Sequence, residues 1–243
     1  MRVVAIIQAR MGSTRLPGKV LMDLGGQPVL VRVFERIRRA KTLDEIVVAT
    51  SDLPADNPIA QLCFERGWRC FRGSAADVLD RYYRAALAAR ADVVVRITAD
   101  CPLIDPDVVD LVVREFLKHR ADYASDDNPR TFPRGLDAEV LTFSALERAW
   151  KEGKEAYQRE HVTPFVYEHP ELFSVISVHN DADYSQYRWT LDTVEDLELL
   201  HAVYEKLGNR DDFGWREVLA LMEREPELAE LNAHVVQKPL HQL

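Results

Sequence analysis

Three cations lie within ten residues of one another, Arg10, Arg15 and Lys19, in the segment IIQARMGSTRLPGKV at positions 6–20. Gly12, Ser13, Pro17 and Gly18 separate them, and the apolar run Val3 to Ile7 comes directly before. Guanidinium groups grip phosphate oxygens in pairs, and backbone N–H groups approach an anion closely where side chains are small. A loop that only turned the chain would have no need of such charge. Residues Ala9 to Lys19, with Gly12 and Ser13, are therefore expected to cradle a polyphosphate. The loop is neither of two familiar kinds. Five residues separate Gly12 from Gly18 and Lys19 is followed by Val20, which breaks the Walker A spacing. No G-x-G-x-x-G follows the strand either.

Carboxylates supply the second half of the chemistry. Asp100 lies in Thr98-Ala99-Asp100-Cys101-Pro102, at the end of an apolar run over 92–98. Beside a polyphosphate such a group is a natural Mg²⁺ ligand, since Mg²⁺ takes one or two carboxylates plus phosphate oxygens. The alternative is a strand-end cap or turn residue, and Asp105 reads as the cap of the next helix. Asp192 follows the apolar stretch 187–191 in RWTLDTVEDLE, where Thr193 and Asp196 form a capping box. A further polar set lies in PRGLDAEV: Arg134 could pair with a substrate carboxylate, and Asp137 and Glu139 alternate onto one face of a strand. Arg159, Glu160 and His161 cluster at a helix start, where His161 is either a proton-transfer group or structural.

The elements that must position these residues alternate. Short apolar runs at 2–8, 45–50, 68–71 and 92–98 read as buried strands. Helical patterns fall at 27–40, 57–66, 76–90 and from Asp105-Pro106 to 119, with Pro28 and Pro58 in first-turn positions. This predicts a parallel sheet covered on both faces. Beyond it, 136–142 and 172–179 read as strands for which an antiparallel arrangement is open. The region 144–153 reads as a helix capped by Ser144 and Glu147, and further helices are expected at 156–168, 193–207 and after 214 and 226. The polar loop 125–135, SDDNPRTFPRG, is the candidate mobile or substrate-facing segment. A single domain over 1–243 is expected, with 1–125 mainly nucleotide-binding and 126–243 mainly acceptor-binding.

Composition excludes several classes. The net charge of −9 over 243 residues argues against nucleic acid as a partner, because backbone binding wants a basic surface. Three cysteines at no zinc-like spacing suggest a reduced, cytoplasmic setting without a disulfide framework. No secretory leader is expected, and no stretch approaches the ~20 apolar residues needed to span a bilayer.

Taken together, the segments at 10–19, RGSAADVLDRY at 72–82, RITADCPLID at 96–105, FPRGLDAEV at 132–140, REHVTPF at 159–165 and RWTLDTVEDLE at 188–198 resemble the cytidylyltransferases that make CMP-activated sugar acids. Their nearest likeness is to the spore coat polysaccharide biosynthesis branch. The resemblance implies a three-layer α/β, Rossmann-like (GT-A-like) nucleotidyltransferase fold with a mostly parallel sheet. It also implies CTP and a sugar acid or related polyol as substrates, Mg²⁺ as cofactor and surface glycan synthesis as the setting. Asp192 is implied as the second metal ligand beside Asp100. The region holding Arg72, Gly73, Ser74 and Arg81 is implied to line the nucleoside pocket. Residues 234–240 could form the interface arm of a homodimer. The motif ADCP departs from the acid-Pro arrangement of the bacterial ketodeoxyoctonate enzyme, which leaves the sugar acid open. A glycosyltransferase with a nucleotide-sugar donor is the competing enzyme class, less suited to three loop cations. A non-catalytic nucleotide-binding protein is the third reading.

Overall fold

Val3–Gln8 (β1) is buried on both faces and sits between two parallel neighbours, Glu45–Ser51 (β2) and Val93–Thr98 (β4). The computed structural model describes residues 1–237. Arg69–Gly73 (β3) extends the sheet beyond β2. On the other side lie Glu139–Thr142 (β6), Tyr123–Ser125 (β5) and Val175–Ser177 (β7), giving a seven-stranded sheet of order β3-β2-β1-β4-β6-β5-β7. Only β6 runs against its neighbours, while β7 is parallel to β5.

Side-chain alternation along β1 divides the core. Val3, Ala5 and Ile7 pack on one face with Val29–Ile37 (α1), Asn57–Arg66 (α2) and Pro106–His119 (α4). Val4 and Ile6 pack on the other with Val78–Ala89 (α3), Phe143–Glu152 (α5) and Pro164–Tyr167 (α7). A third apolar cluster joins Leu16, Leu103 and Trp189 to Val194–Lys206 (α8), Trp215–Arg224 (α9) and Glu227–Glu230 (α10). With Ala156–His161 (α6), these helices give the expected three-layer α/β architecture.

Several boundaries differ from expectation. The helix expected over 156–168 breaks at Val162, a β-branched residue at φ 75°, where Thr163 N donates to His161 O in a three-residue turn. The first turn of α5 is capped by Thr142, whose Oγ1 accepts from Ala145 N at 3.0 Å, in place of Ser144. Glu147 pairs with Lys151 at 3.0 Å and closes no box. Stretch 187–191 is not a strand, since only Arg134 and Arg188 bridge. Strand β5 has three residues, too few to show a period. Loop 125–135 is pinned to its surroundings: Tyr184 N donates to Thr131 O, Asn180 N to Thr131 Oγ1, and the Ser177 hydroxyl to Asn128 O. Of the suggested interface arm, residues 238–240 lie outside the described residues.

Candidate active site at the sheet switch point

Strand order reverses between β1 and β4, since β2 and β3 lie to one side of β1 and the later strands lie beyond β4. Loops leaving the carboxyl ends of two such strands part to opposite faces and leave a crevice between them. Residues 9–19 leave β1 and residues 99–105 leave β4 here, and a cleft of about 650 Å³ lies between them. Its lining includes Arg10, Ser13, Arg15, Lys19, Thr98 and Asp100, with Asp192 from the segment before α8.

The loop after β1 is held by its own backbone and by one distant carboxylate. Gly18 N and Ser13 N both donate to Met11 O at 2.9 Å, and Met11 N donates to Asp56 Oδ1 at 2.7 Å. Gly18 sits at φ 74°, a left-handed conformation that suits glycine. A side chain at Gly12 would meet nothing within 4 Å, so the backbone there faces open space. Asp56 is buried and also binds Ser51, a role with no signal in the local sequence.

Lys19 is the hub of the site. Its Nζ donates to Asp100 Oδ2 at 2.6 Å, to Asp192 Oδ1 at 2.9 Å and to Leu191 O at 2.6 Å. Arg15 reaches Asp192 Oδ2 at 2.9 Å, and Arg188 donates to the same oxygen at 2.7 Å. Burial alone would raise the Asp192 carboxyl, but Lys19, Arg15 and Arg188 outweigh it and hold the pKa down at about 2. Burial works against the Lys19 ammonium, yet Asp100 and Asp192 raise its pKa above the ordinary lysine value. Arg10 is half-exposed and pairs with Glu160 at 3.4 Å, which brings α6 to the cleft. Asp196 is fully buried, binding Arg188 Nε at 2.8 Å and the backbone of Asp192 and Thr193. It thus orients the site, while Asp192 faces it.

Among the described residues no group of three or more His, Cys, Asp or Glu side chains could hold a metal alone. Asp100 and Asp192, however, converge on a single cationic point occupied by the Lys19 ammonium. Such a pair suits an ion that completes its shell with phosphate oxygens.

The acceptor-side residues separate into two kinds. Arg134, Asp137 and His161 line the cleft. Glu139 does not: it is buried and ion-paired with Arg96, and it accepts from Tyr123 at 2.7 Å and from Thr163. Asp137 and Glu139 thus do not share an exposed face, because Asp137 lies outside β6 and pairs with Arg130. Arg159 is also committed, forking onto Asp77 and donating to Trp150 O at 2.8 Å. The structure does not bring Arg72, Gly73, Ser74 and Arg81 to the cleft wall. Arg72 donates to Ser51 O, Leu53 O and Asn57; Arg81 is buried and donates to Ser74 O at 2.7 Å. A Cβ on Gly73 would lie 3.0 Å from Phe71 Cε1, so packing accounts for that glycine.

Sequence reasoning missed Gln8, Arg96, Asp127 and Arg130, all of which line the cleft, as does Glu160 of the expected polar cluster. Gln8 Oε1 and Arg96 Nε are buried there with no hydrogen-bond partner among the described residues. Asp127 and Arg130 lie in the polar loop singled out as substrate-facing, which was the available signal. Arg188 stands at the head of RWTLDTVEDLE, but nothing local shows that it binds Asp192.

The sequence profile of the cytidylyltransferase family matches residues 4–219 of this chain. The chain belongs to the cytidylyltransferase family. It is 42% identical to an uncharacterised protein of Methanocaldococcus jannaschii, covering 98% of this chain and 97% of that one. It is 37% identical to the spore coat polysaccharide biosynthesis protein SpsF of Bacillus subtilis, covering 93% and 96%. A solved cytidylyltransferase from Leptospira borgpetersenii superposes with a TM-score of 0.90 at 37% identity, over 94% of this chain and 97% of the other. The fold is also that of the CMP-2-keto-3-deoxy-manno-octonic acid synthetase solved with CTP, with a TM-score of 0.65 at 19% identity over 85% and 99%. The expected nucleotidyltransferase fold is therefore the observed one. No described helix of the chain is long and apolar enough to cross a membrane.

Proposed function

We propose that this protein transfers the cytidylyl group of CTP to a hydroxyl of a sugar acid or related polyol, releasing pyrophosphate, in the synthesis of a surface polysaccharide or glycan. The observation that carries the reading is the convergence of Arg15, Lys19, Asp100 and Asp192 at the switch point, beside a cleft large enough for a nucleotide and a sugar. Relatives named for cytidylyl transfer and for spore coat polysaccharide support it.

Charge and position account for the chemistry, since phosphoryl transfer asks little covalent work of the protein. Arg10, Arg15 and Lys19 neutralise the triphosphate and the charge that builds on the departing pyrophosphate. Asp100 and Asp192 would hold Mg²⁺, which when bound supplies charge to the phosphate oxygens and lowers the pKa of a hydroxyl it contacts. Lys19 meanwhile keeps the two carboxylates together against their mutual repulsion.

Arg134 favours an acidic acceptor. Its guanidinium lines the cleft yet makes no hydrogen bond or ion pair among the described residues, and burial together with neighbouring Arg130 and Arg188 outweighs Asp137 and Asp127 to depress its pKa. An arginine held this way gains from an incoming carboxylate.

The test is pyrophosphate release with Mg²⁺, offering CTP, UTP, dTTP, ATP and GTP against a panel of sugar acids, polyols and sugar phosphates. Acceptor-dependent release with CTP alone is expected. Release of a nucleoside diphosphate from a nucleotide-sugar would instead establish a glycosyltransferase.

A further inference from the structure

We propose that Asp127 is the general base that takes the proton of the acceptor hydroxyl. The proposal rests on the cytidylyl-transfer reading and adds to it the residue that activates the nucleophile.

Besides Glu160, which pairs with Arg10 at 3.4 Å, four carboxylates crowd the acceptor end of the cleft, and three of them are buried or tightly ion-paired. Glu139 is buried on Arg96, Tyr123 and Thr163. Asp126 is buried and off the cleft lining, with Oδ1 accepting from Ala138 N at 2.9 Å. Asp137 is tightly paired with Arg130. Of these four, Asp127 is the one that lines the cleft with a loose ion-pair partner: Arg130 Nη2 lies 3.8 Å away, and a third of the Asp127 side chain is exposed. It projects from the loop after β5, whereas Arg15, Lys19 and Asp100 lie on the loops after β1 and β4. In-line attack on the α-phosphorus places the nucleophile opposite the leaving group. With pyrophosphate held by the cations of residues 10–19, the acceptor comes from the side on which Asp127 stands.

In the step, the acceptor oxygen forms its bond to the α-phosphorus as the bond from that phosphorus to the β-phosphate bridging oxygen breaks. The electron pair leaves with pyrophosphate, and the hydroxyl proton passes to the Asp127 carboxylate. Electrostatics suit the task. Burial, with Glu139 and Asp137 next, raises the Asp127 carboxyl to about 6, and Arg130 and the Ser125 hydroxyl offset only part of this. Asp126, Arg134, Tyr123 and Tyr167 are the other titratable groups that feel its charge. A carboxyl poised this way is ionised at neutral pH and more basic than an ordinary aspartate. Being raised in the fold, it lowers stability above about pH 6, as functional carboxylates commonly do.

Acceptor-dependent pyrophosphate release is measured from about pH 5 to pH 9 for the wild type, Asp127→Asn, Asp127→Glu and His161→Gln. The wild type should show kcat/KM rising with pH through about 6. Asp127→Asn should lose roughly 10²- to 10⁴-fold in kcat, keep both KM values within about threefold and lose the acidic limb. Asp127→Glu should recover part of the rate, and His161→Gln should retain the limb whatever its rate. Unchanged CTP affinity and an equal or higher melting temperature at neutral pH show that Asp127→Asn is folded. Carbon-13 NMR supplies a second readout: the carboxyl resonance missing from Asp127→Asn should titrate near pH 6. A wild-type-like profile in Asp127→Asn, loss of the limb in His161→Gln alone, or a titration near 4 would overturn the base assignment alone. Absence of any CTP-dependent pyrophosphate release by the wild type would overturn the transfer reading, and the base role with it.

Discussion

Arg188 and Asp192 are joined at 2.7 Å across four residues of irregular chain, while the same guanidinium holds buried Asp196 at 2.8 Å and Gln237 at 2.7 Å. Arg188 therefore links a helix cap, the C-terminal segment and the site carboxylate. A Lys19 ammonium alone would leave Asp192 free to rotate about one contact, whereas the arginine fixes its second oxygen.

Arg188→Lys should accordingly raise the Mg²⁺ concentration needed for half-maximal activity by about 10- to 100-fold, as loss of a group that orients a metal ligand does. Nucleotide affinity without metal should change little. A metal titration of turnover checks this, and an unchanged midpoint would show that Asp192 is oriented by Lys19 and Arg15.

Asp100→Asn and Asp192→Asn should each lower kcat by at least about a hundredfold, because each removes charge from the proposed metal site at constant volume. Circular dichroism should show the fold retained. Near-normal turnover in both with Mg²⁺ present would refute the metal assignment.

Acid stability should depend on Asp192. Its folded pKa of about 2 lies below the unfolded value of about 3.9, so its stabilisation is present above pH 4 and is lost as pH falls toward 2. The shift corresponds to about 2–3 kcal/mol. The raised Lys19 value reflects the same ion pair and is not added to it. Urea midpoints across this window should fall less steeply in Asp192→Asn than in the wild type.

Arg15→Ala should weaken CTP binding by more than tenfold and CMP binding by less than threefold, because only CTP carries the phosphates that the loop cations neutralise. Calorimetry with both ligands decides it, and equal losses would move Arg15 away from the β and γ phosphates.

Gly135→Ala should destabilise the fold by about 3 kcal/mol or more. Gly135 lies at φ 108°, and a Cβ there would stand 2.7 Å from the Trp189 carbonyl carbon and oxygen. Flanking bonds from Arg134 N to Tyr187 O and from Trp189 N to Arg134 O join the two loops. Thermal unfolding measures the loss, and a normal melting temperature would show that the two loops separate without cost.

Much of the fold could be read directly. Alternating apolar runs and helical patterns gave β1 to β4 and their helices nearly in place, and Asp105, Thr193 and Asp196 cap helices as their spacing suggests. Local rules failed where a distant partner intervened. Arg159 reads as a substrate contact until Asp77, 82 residues away, is seen to hold it. Arg72 and Arg81 look like ligand anchors, yet Arg72 and one Arg81 nitrogen are taken up by backbone carbonyls, and packing accounts for Gly73.

From the sequence came the cation cluster of residues 10–19 and the alternating architecture, which depend on residue type and short-range spacing that the chain carries in itself. The pairing of Asp192 with Asp100 came from the family resemblance. Only the tertiary structure decided that Lys19 bridges the two aspartates, at separations of 81 and 173 residues, and that Asp127 faces the cleft while Glu139 is buried beneath it. Those outcomes depend on the strand order β3-β2-β1-β4-β6-β5-β7, which sets which loops meet at the crevice and which carboxylates find a cation first.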